Sequence, residues 1–399
     1  MEPERMTAPS SRMVREASAR LVLDHMWQAP PVTGTDLMAA TGLSRATVHD
    51  VCEELIARGW VREVANQREH GGYQKGRPAR RYAFDPLAGL VVGVDAGQHR
   101  VDAIVTDLRG AELGRHHGPP RGGFTDADER VAAVGDAVTA ALAGLPAERV
   151  LAVTVGVPAP VDAGGRTTFR GNPYWEVMNP DLGERLRAHH GLPAVVENDA
   201  NLAALAEGWR GHGRGVRHFV ALLAGERLGA GIVEDGRLVR GARGGAGEMR
   251  FLGLVGGVGS ADGIARIARD RAREALAAPG ARSVLADDPD AAAVFAAAAA
   301  GDALAAGVVD RIAERMARVI ATLASLVDTE RVIIAGRVAA SCGPLLATLE
   351  ERLAHHGDPP PRVLASALGG DAVMLGAVKR SIDHVRDHAL HLVLAAQKP

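Results

Sequence analysis

The chain has 399 residues, 47% of them hydrophobic, and a formal net charge of −2. That length accommodates roughly two or three domains with a sizeable core, and the near-neutral balance excludes a polycation that grips nucleic acid with its whole surface. The only cysteines, Cys52 and Cys342, exclude a disulfide framework and suit a reducing compartment.

The first stretch, residues 1–15, reads as disordered. It is polar and lacks the apolar h-region of a signal peptide. The Ala-rich run Ala291 to Ala306 is broken by Gly301 and Asp302 and is too weakly apolar for a membrane span. A cytoplasmic protein without membrane contact is therefore expected.

Residues 16–85 predict a winged helix-turn-helix. In Leu37 to Trp60, Gly42 supplies the sharp turn and Ser44 is placed to cap the following helix. Leu43, Val48, Val51, Leu55 and Ile56 recur at helical spacing as a buried stripe, with Cys52 beside it as a small core residue. Ser44, Arg45, Thr47 and His49 open the second helix and are expected to face a DNA major groove. Val61 to Val64 and Tyr82 to Phe84 read as wing strands. Between and beside them Lys75, Arg77, Arg80 and Arg81 provide a local positive charge for phosphates, and Gly76-Arg77-Pro78 is compact enough for a minor groove. A plain helix pair with a solvated charged loop is the structural alternative.

After a junction at Asp85 to Gly89, residues 90–399 read as an α/β body. Strands are expected at Leu90 to Asp95, Arg100 to Thr106, after the turn at Asp107 to Gly110, at Val150 to Gly156 and at Pro193 to Glu197. Helices are expected at about 126–143 and over Asn201 to Glu207. The plan then repeats with strands Phe219 to Leu223, Gly229 to Glu234 and Val332 to Ile334. Helices fill about 262–328 and 342–355 and close the chain after Gly370. Two such halves imply two lobes with a cleft between them.

Three segments bear on the cleft. Glu197-Asn-Asp-Ala-Asn201 places Asn198 and Asp199 where a strand gives way to a helix, an amide and a carboxylate suited to vicinal hydroxyls. Gly244-Gly-Ala-Gly-Glu248 puts Glu248 on a flexible loop, and Gly156 to Asp162 forms a tight loop whose backbone can line a ligand. Each has an ordinary structural explanation, since Asn and Asp before a helix are usually caps.

From about residue 90 to 380 the chain resembles the ROK family of repressors, open reading frames and sugar kinases. Val195 to Glu207, Gly229 to Glu248 and Ser366 to Ala377 carry the likeness, and the Gly-Arg-Pro wing resembles that of the family's transcription factors, the repressors of xylose and N-acetylglucosamine type. The resemblance implies a winged helix-turn-helix followed by a two-lobed actin-like ATPase (sugar-kinase-like) fold. It implies sugar contacts at Asn198, Asp199 and Glu248, with Asp199 at the position of the kinases' catalytic base. Asp262 stands where the family has a glutamate after its last zinc cysteine, so a hydroxyl contact is implied there too.

The departures are equally informative. The family's first phosphate loop, Asp-x-Gly-Gly-Thr, is here Asp95-Ala-Gly-Gln-His99. Its Gly-Thr-Gly loop is Gly225-Glu226-Arg227, and its third Gly-Gly loop is Ala335-Gly336-Arg337. A carboxylate aimed at triphosphate repels it. Phe251 replaces the zinc histidine, and Gly253, Val255 and Ser260 fall where cysteines would be. No catalytic residue, cofactor or metal is therefore expected. The expected function is a repressor-type regulator that binds an operator in double-stranded DNA, senses a sugar or sugar derivative and works as a homodimer or homotetramer. A sugar kinase with a DNA-binding head, and a regulator with a vestigial cleft governed by a protein partner, are the alternatives.

Overall fold

The computed structural model describes residues 11–64, 80–169, 171–355, 359–392 and 394. The head runs α1 (Ser11–Met26), β1 (Val32–Thr33), α2 (Gly34–Thr41), α3 (Arg45–Ala57), β2 (Val61–Val64) and β3 (Arg81–Phe84), with strands in the antiparallel order β1-β3-β2. Residues 11–15, expected to be disordered, instead open α1, and residues 1–10 lie outside the described residues. A capping box opens α2: Thr33 Oγ1 accepts from Asp36 N at 3.2 Å, and Asp36 Oδ2 accepts from Thr33 N at 2.8 Å. Gly42 ends it at φ +70°, a left-handed stop that a side chain resists. Ser44 then caps α3, accepting from Thr47 N at 3.2 Å. Val48, Val51, Cys52 and Leu55 are buried, with Leu43 and Ile56 packed partly buried beside them.

Lobe one comprises β4 (Leu90–Ala96), β5 (Val101–Asp107), β6 (Glu112–His117), α4 (Ala127–Ala141), β7 (Val150–Val157), α5 (Pro173–Met178), α6 (Leu182–His190) and β8 (Ala194–Asn198). Lobe two follows as α7 (Asp199–Arg210), β9 (Phe219–Ala224), β10 (Leu228–Glu234), β11 (Arg237–Val239), α8 (Ile264–Leu276), α9 (Ala291–Ala299), α10 (Ala303–Val327), β12 (Arg331–Ala335), α11 (Gly343–Leu353) and β13 (Arg362–Ala365). The last helix, α12 (Ala372–His388), returns to lobe one.

The sheet orders β6-β5-β4-β7-β8 and β11-β10-β9-β12-β13 are one plan used twice. In each, an antiparallel meander is extended by two parallel strands. The sequence reading lacked β11, β13, α5 and α6, all short elements. Among the described residues no single helix is long and apolar enough to cross a membrane.

Helices α7 and α12 pack against each other between the sheets. Their contact depends on Gly376, where a Cβ would stand 1.8 Å from the Leu202 carbonyl oxygen. The head is not a detached bead. Trp27, Trp60 and Phe84 share one buried cluster with Val91, Ile104, Leu108, Met374 and Ile382 of the body. Trp27 Nε1 donates to Leu108 O at 3.1 Å. Arg109, from the β5–β6 turn, donates to the carbonyls of Trp27 and Ala29 at 2.9 Å each and of Met26 at 3.4 Å, closing the C-terminal end of α1.

Candidate functional site

The cleft is built around the start of α7. Asn198 ends β8 and caps the helix: its Oδ1 accepts from Asn201 N at 3.0 Å, and its Nδ2 donates to Ala159 O at 3.1 Å. One amide thus fixes the helix and holds the loop after β7. Behind it, buried Glu197 accepts from Asn201 Nδ2 at 3.0 Å and from Arg240 at 2.9 Å. Asp199 is the first helical residue, and its carboxylate accepts from Ala200 N at 2.8 Å. The loop carrying Glu248 is threaded tightly. At Gly244 (φ +73°) a Cβ would stand 1.9 Å from Val161 O, and at Gly247 (φ +79°) one would stand 1.8 Å from Ala230 O. The run of glycines is therefore a requirement of the path the chain takes.

Asp199 lies within electrostatic reach of two further carboxylates, Asp95 and Glu248. Burial, then the charges of Asp95 and Glu248, push the Asp199 carboxyl up to about 8. Burial and neighbouring Asp102 raise Asp95 to about 7. Burial raises Glu248 as well, against the pull of Arg250 and Arg227. Fully buried Arg130 of α4 lies close enough to Asp95 and Asp199 for their charges to support it, although burial lowers its own pKa to about 10. It donates to Met178 O at 2.7 Å, to Gly97 O at 3.0 Å and to Ala96 O, and stacks on Phe124 at 5.1 Å. Tyr174 adds a phenol whose pKa burial and Asp199 raise. Such a set donates and accepts hydrogen bonds to a polyol near neutral pH, and a carboxylate poised there is also what a general base requires.

Asp262 is placed differently. Its Oδ2 accepts from Ser260 Oγ at 2.7 Å and its Oδ1 lies 3.7 Å from Arg266 Nε. It is tied to its own loop and the start of α8. In the position of the phosphate loops, Glu226 is held by Arg269 through two bonds of 2.9 Å, which keep its carboxyl below its ordinary value. Phe251 is 64% exposed. Ser260 is engaged by Asp262, and among the described residues no group of His, Cys, Asp and Glu is placed to hold a metal ion. The residues of this loop do not fit a zinc ion.

In the head, most of the basic and polar side chains expected at DNA already have internal partners. Ser44 and Thr47 share the cap, their hydroxyls 2.9 Å apart. His49 Nδ1 lies 3.2 Å from Tyr82 Oη, tying α3 to β3. Arg80 lies 3.4 Å from Glu63 and 3.8 Å from Glu53, and Arg81 donates to Pro31 O at 2.8 Å. Arg45 stands exposed at the start of α3. Lys75 and Arg77, with the Gly76-Arg77-Pro78 tip, lie outside the described residues.

The sequence reading missed Arg130, Tyr174 and Arg240. Arg130 left a signal: it lies on the stripe of Val134, Ala137, Val138 and Ala141, where an arginine is out of place unless it is held.

Comparison with known proteins supplies the context. A family model described as ROK family matches residues 91–381, and one described as MarR family matches residues 17–70. A glucokinase of Halalkalibacterium halodurans is 35% identical over 222 residues, 49% of this chain and 65% of that protein. A xylose repressor of Caldicellulosiruptor bescii is 27% identical over 243 residues, 59% of this chain and 58% of that one. The chain thus spans less than two thirds of these curated relatives. A crystal structure of a ROK family transcriptional regulator, a homologue of the E. coli MLC protein, superposes with TM-score 0.74 at 24% identity, covering 92% of this chain and 96% of that one.

Proposed function

The chain belongs to the ROK family, and from that premise we propose that it is a cytoplasmic DNA-binding transcriptional repressor whose cleft senses a sugar or sugar derivative and transfers no phosphoryl group. In this reading residues 16–85 are the DNA-binding head and 90–399 the sensing and oligomerising body. Asn198, Asp199 and Glu248 contact the ligand's hydroxyls. Arg45, with the wing residues, meets a double-stranded operator. Winged-helix heads pair to match two half-sites, so a homodimer or homotetramer is the working form.

One observation carries the reading. Helix α7, 12 residues long, begins at Asp199 in the cleft and ends at Arg210, whose Nη2 donates to Gly110 O at 2.8 Å. The neighbouring Arg109 is the residue that closes the end of α1. A rod of about 18 Å thereby joins ligand site to head. A ligand that binds one lobe arrangement better shifts the population of head positions. The Glu226 and Arg227 side chains, Glu226 bonded to Arg269, occupy the turn that the resemblance gives to a glycine-rich phosphate loop, and their bulk there speaks against nucleotide binding.

Fluorescence anisotropy on the chain's own upstream DNA, with and without a panel of hexoses, pentoses and amino sugars, tests this. Sequence-selective binding altered by one sugar is expected; its absence under every condition refutes the reading. The second reading, an active sugar kinase with a DNA-binding head, is favoured by the near-neutral Asp199 carboxyl and by the glucokinase relative. ATP consumption with the same sugars, abolished in Asp199→Asn, would establish it.

A further inference from the structure

A second concavity, lined by none of Asn198, Asp199 and Glu248, lies at the seam between head and body. It is a groove of about 630 Å³ walled by Arg20 and Asp24 of α1 and by Arg380, Asp383, Arg386 and Asp387 of α12. Leu205, Arg237, Leu238 and Arg240 complete its lining. Its charges divide into two groups. Some are matched internally: Arg20 with Asp387 at 2.8 Å and with Asp24 at 3.3 Å, Arg386 with Asp24 at 2.7 Å, and Asp383 with Lys379 at 2.5 Å. Arg240 is matched by Glu197. Arg237 and Arg380 have no carboxylate partner among the described residues. The Nε of Arg380 is buried without any hydrogen-bond partner.

A buried guanidinium nitrogen lacking an acceptor costs folding free energy. That nitrogen is closed off from the groove, so what Arg237 and Arg380 offer an occupant is guanidinium charge unmatched by any carboxylate among the described residues. Guanidinium forks match the paired oxygens of phosphoryl and carboxylate groups, and Leu205 and Leu238 offer an apolar wall beside them. We propose that this groove binds a small, multiply charged anion bearing phosphoryl or carboxylate groups, held by Arg237 and Arg380 and distinct from the sugar site. Because α1 forms one wall and α12 the other, the occupant touches head and body together. The site stands independently of the sugar-sensing reading.

The test is titration calorimetry of the full chain with pyrophosphate and, separately, citrate, at constant ionic strength. Saturable one-site binding is expected for at least one of them; tighter pyrophosphate binding identifies a phosphoryl ligand and tighter citrate binding a polycarboxylate. Arg237→Ala and Arg380→Ala should each weaken binding about tenfold or more, while the exposed control Arg282→Ala leaves it unchanged. Arg237 is exposed on the short β11, so its variant tests the site even if Arg380→Ala misfolds. The proposal is overturned if neither anion binds saturably below about 10 mM, or if Arg237→Ala binds like the parent. It is also overturned if Arg282→Ala loses as much, or if Arg237→Ala weakens DNA binding alone, which would make the groove a DNA surface.

Discussion

The Arg337 guanidinium, on the loop after β12 of lobe two, donates to the Asp102 carboxylate of lobe one across 2.8 Å. Asp102 is only 2% exposed, and it also accepts from Arg100 Nε at 3.0 Å and Gly118 N at 3.1 Å. A second bridge between the lobe-one sheet and the start of α12, Arg115 to Asp371 at 2.9 Å, runs beside it. An arginine on the loop after β12 therefore clasps the two lobes together.

Arg337→Ala is expected to loosen that clasp without unfolding the chain, because Asp102 keeps two donors. The cost is on the order of 1 kcal/mol, lowering the melting temperature by about 1 °C. Small-angle scattering should register a larger radius of gyration. An unchanged radius together with an unchanged melting temperature would show that Arg337 holds nothing.

The carboxyls of Asp95 and Asp199 make stability depend on pH in a definite direction. Their folded-state pKa values, about 7 and about 8, lie above the ordinary 3.8. The folded state then binds more protons than the unfolded one, so their contribution is complete below pH 3.8 and is lost as pH rises through about 7 and 8. Asp199→Asn removes the ionisation of one. It should melt several degrees above the parent at about pH 9, with the gap closing towards about pH 4. A gap that widens at low pH would reverse the assignment.

Much of this architecture is legible locally. Gly42 and Ser44 mark the turn and cap of the head, and Asn198 marks the start of α7, because turns and caps are decided by residues a few positions apart. The partners are not legible. Arg337 meets Asp102 from 235 positions away, and His49 meets Tyr82 from 33. The same distance effect engaged Arg80 and Arg81 within the head, with Glu63 17 positions away and Pro31 50 away. Residue type announces that a polar side chain will seek a partner; only the tertiary fold decides whether that partner is a ligand or a neighbour.

Gly376 offers a sharp test of the α7–α12 contact. With a Cβ placed 1.8 Å from Leu202 O, Gly376→Ala forces two helices apart rather than displacing a flexible side chain. A loss of about 2–3 kcal/mol or more is expected, read as a lower denaturation midpoint at unchanged slope. Gly122→Ala, where no atom lies within 4 Å, is the matched control and should change little.

Arg45 and His49 sit one turn apart on α3 yet should fail in different assays. Arg45 is exposed, whereas His49 is half-buried against Tyr82. Arg45→Ala should leave the melting temperature unchanged. If Arg45 meets a phosphate, its loss weakens DNA binding nearly uniformly across sequences and reduces the slope of log affinity against log salt by about 1. His49→Ala should instead destabilise the head by up to about 1 kcal/mol, because the buried Tyr82 hydroxyl loses one of its partners and keeps Arg80. Should His49→Ala change base preference at full stability, His49 turns towards the groove when DNA binds and exchanges Tyr82 for a base edge.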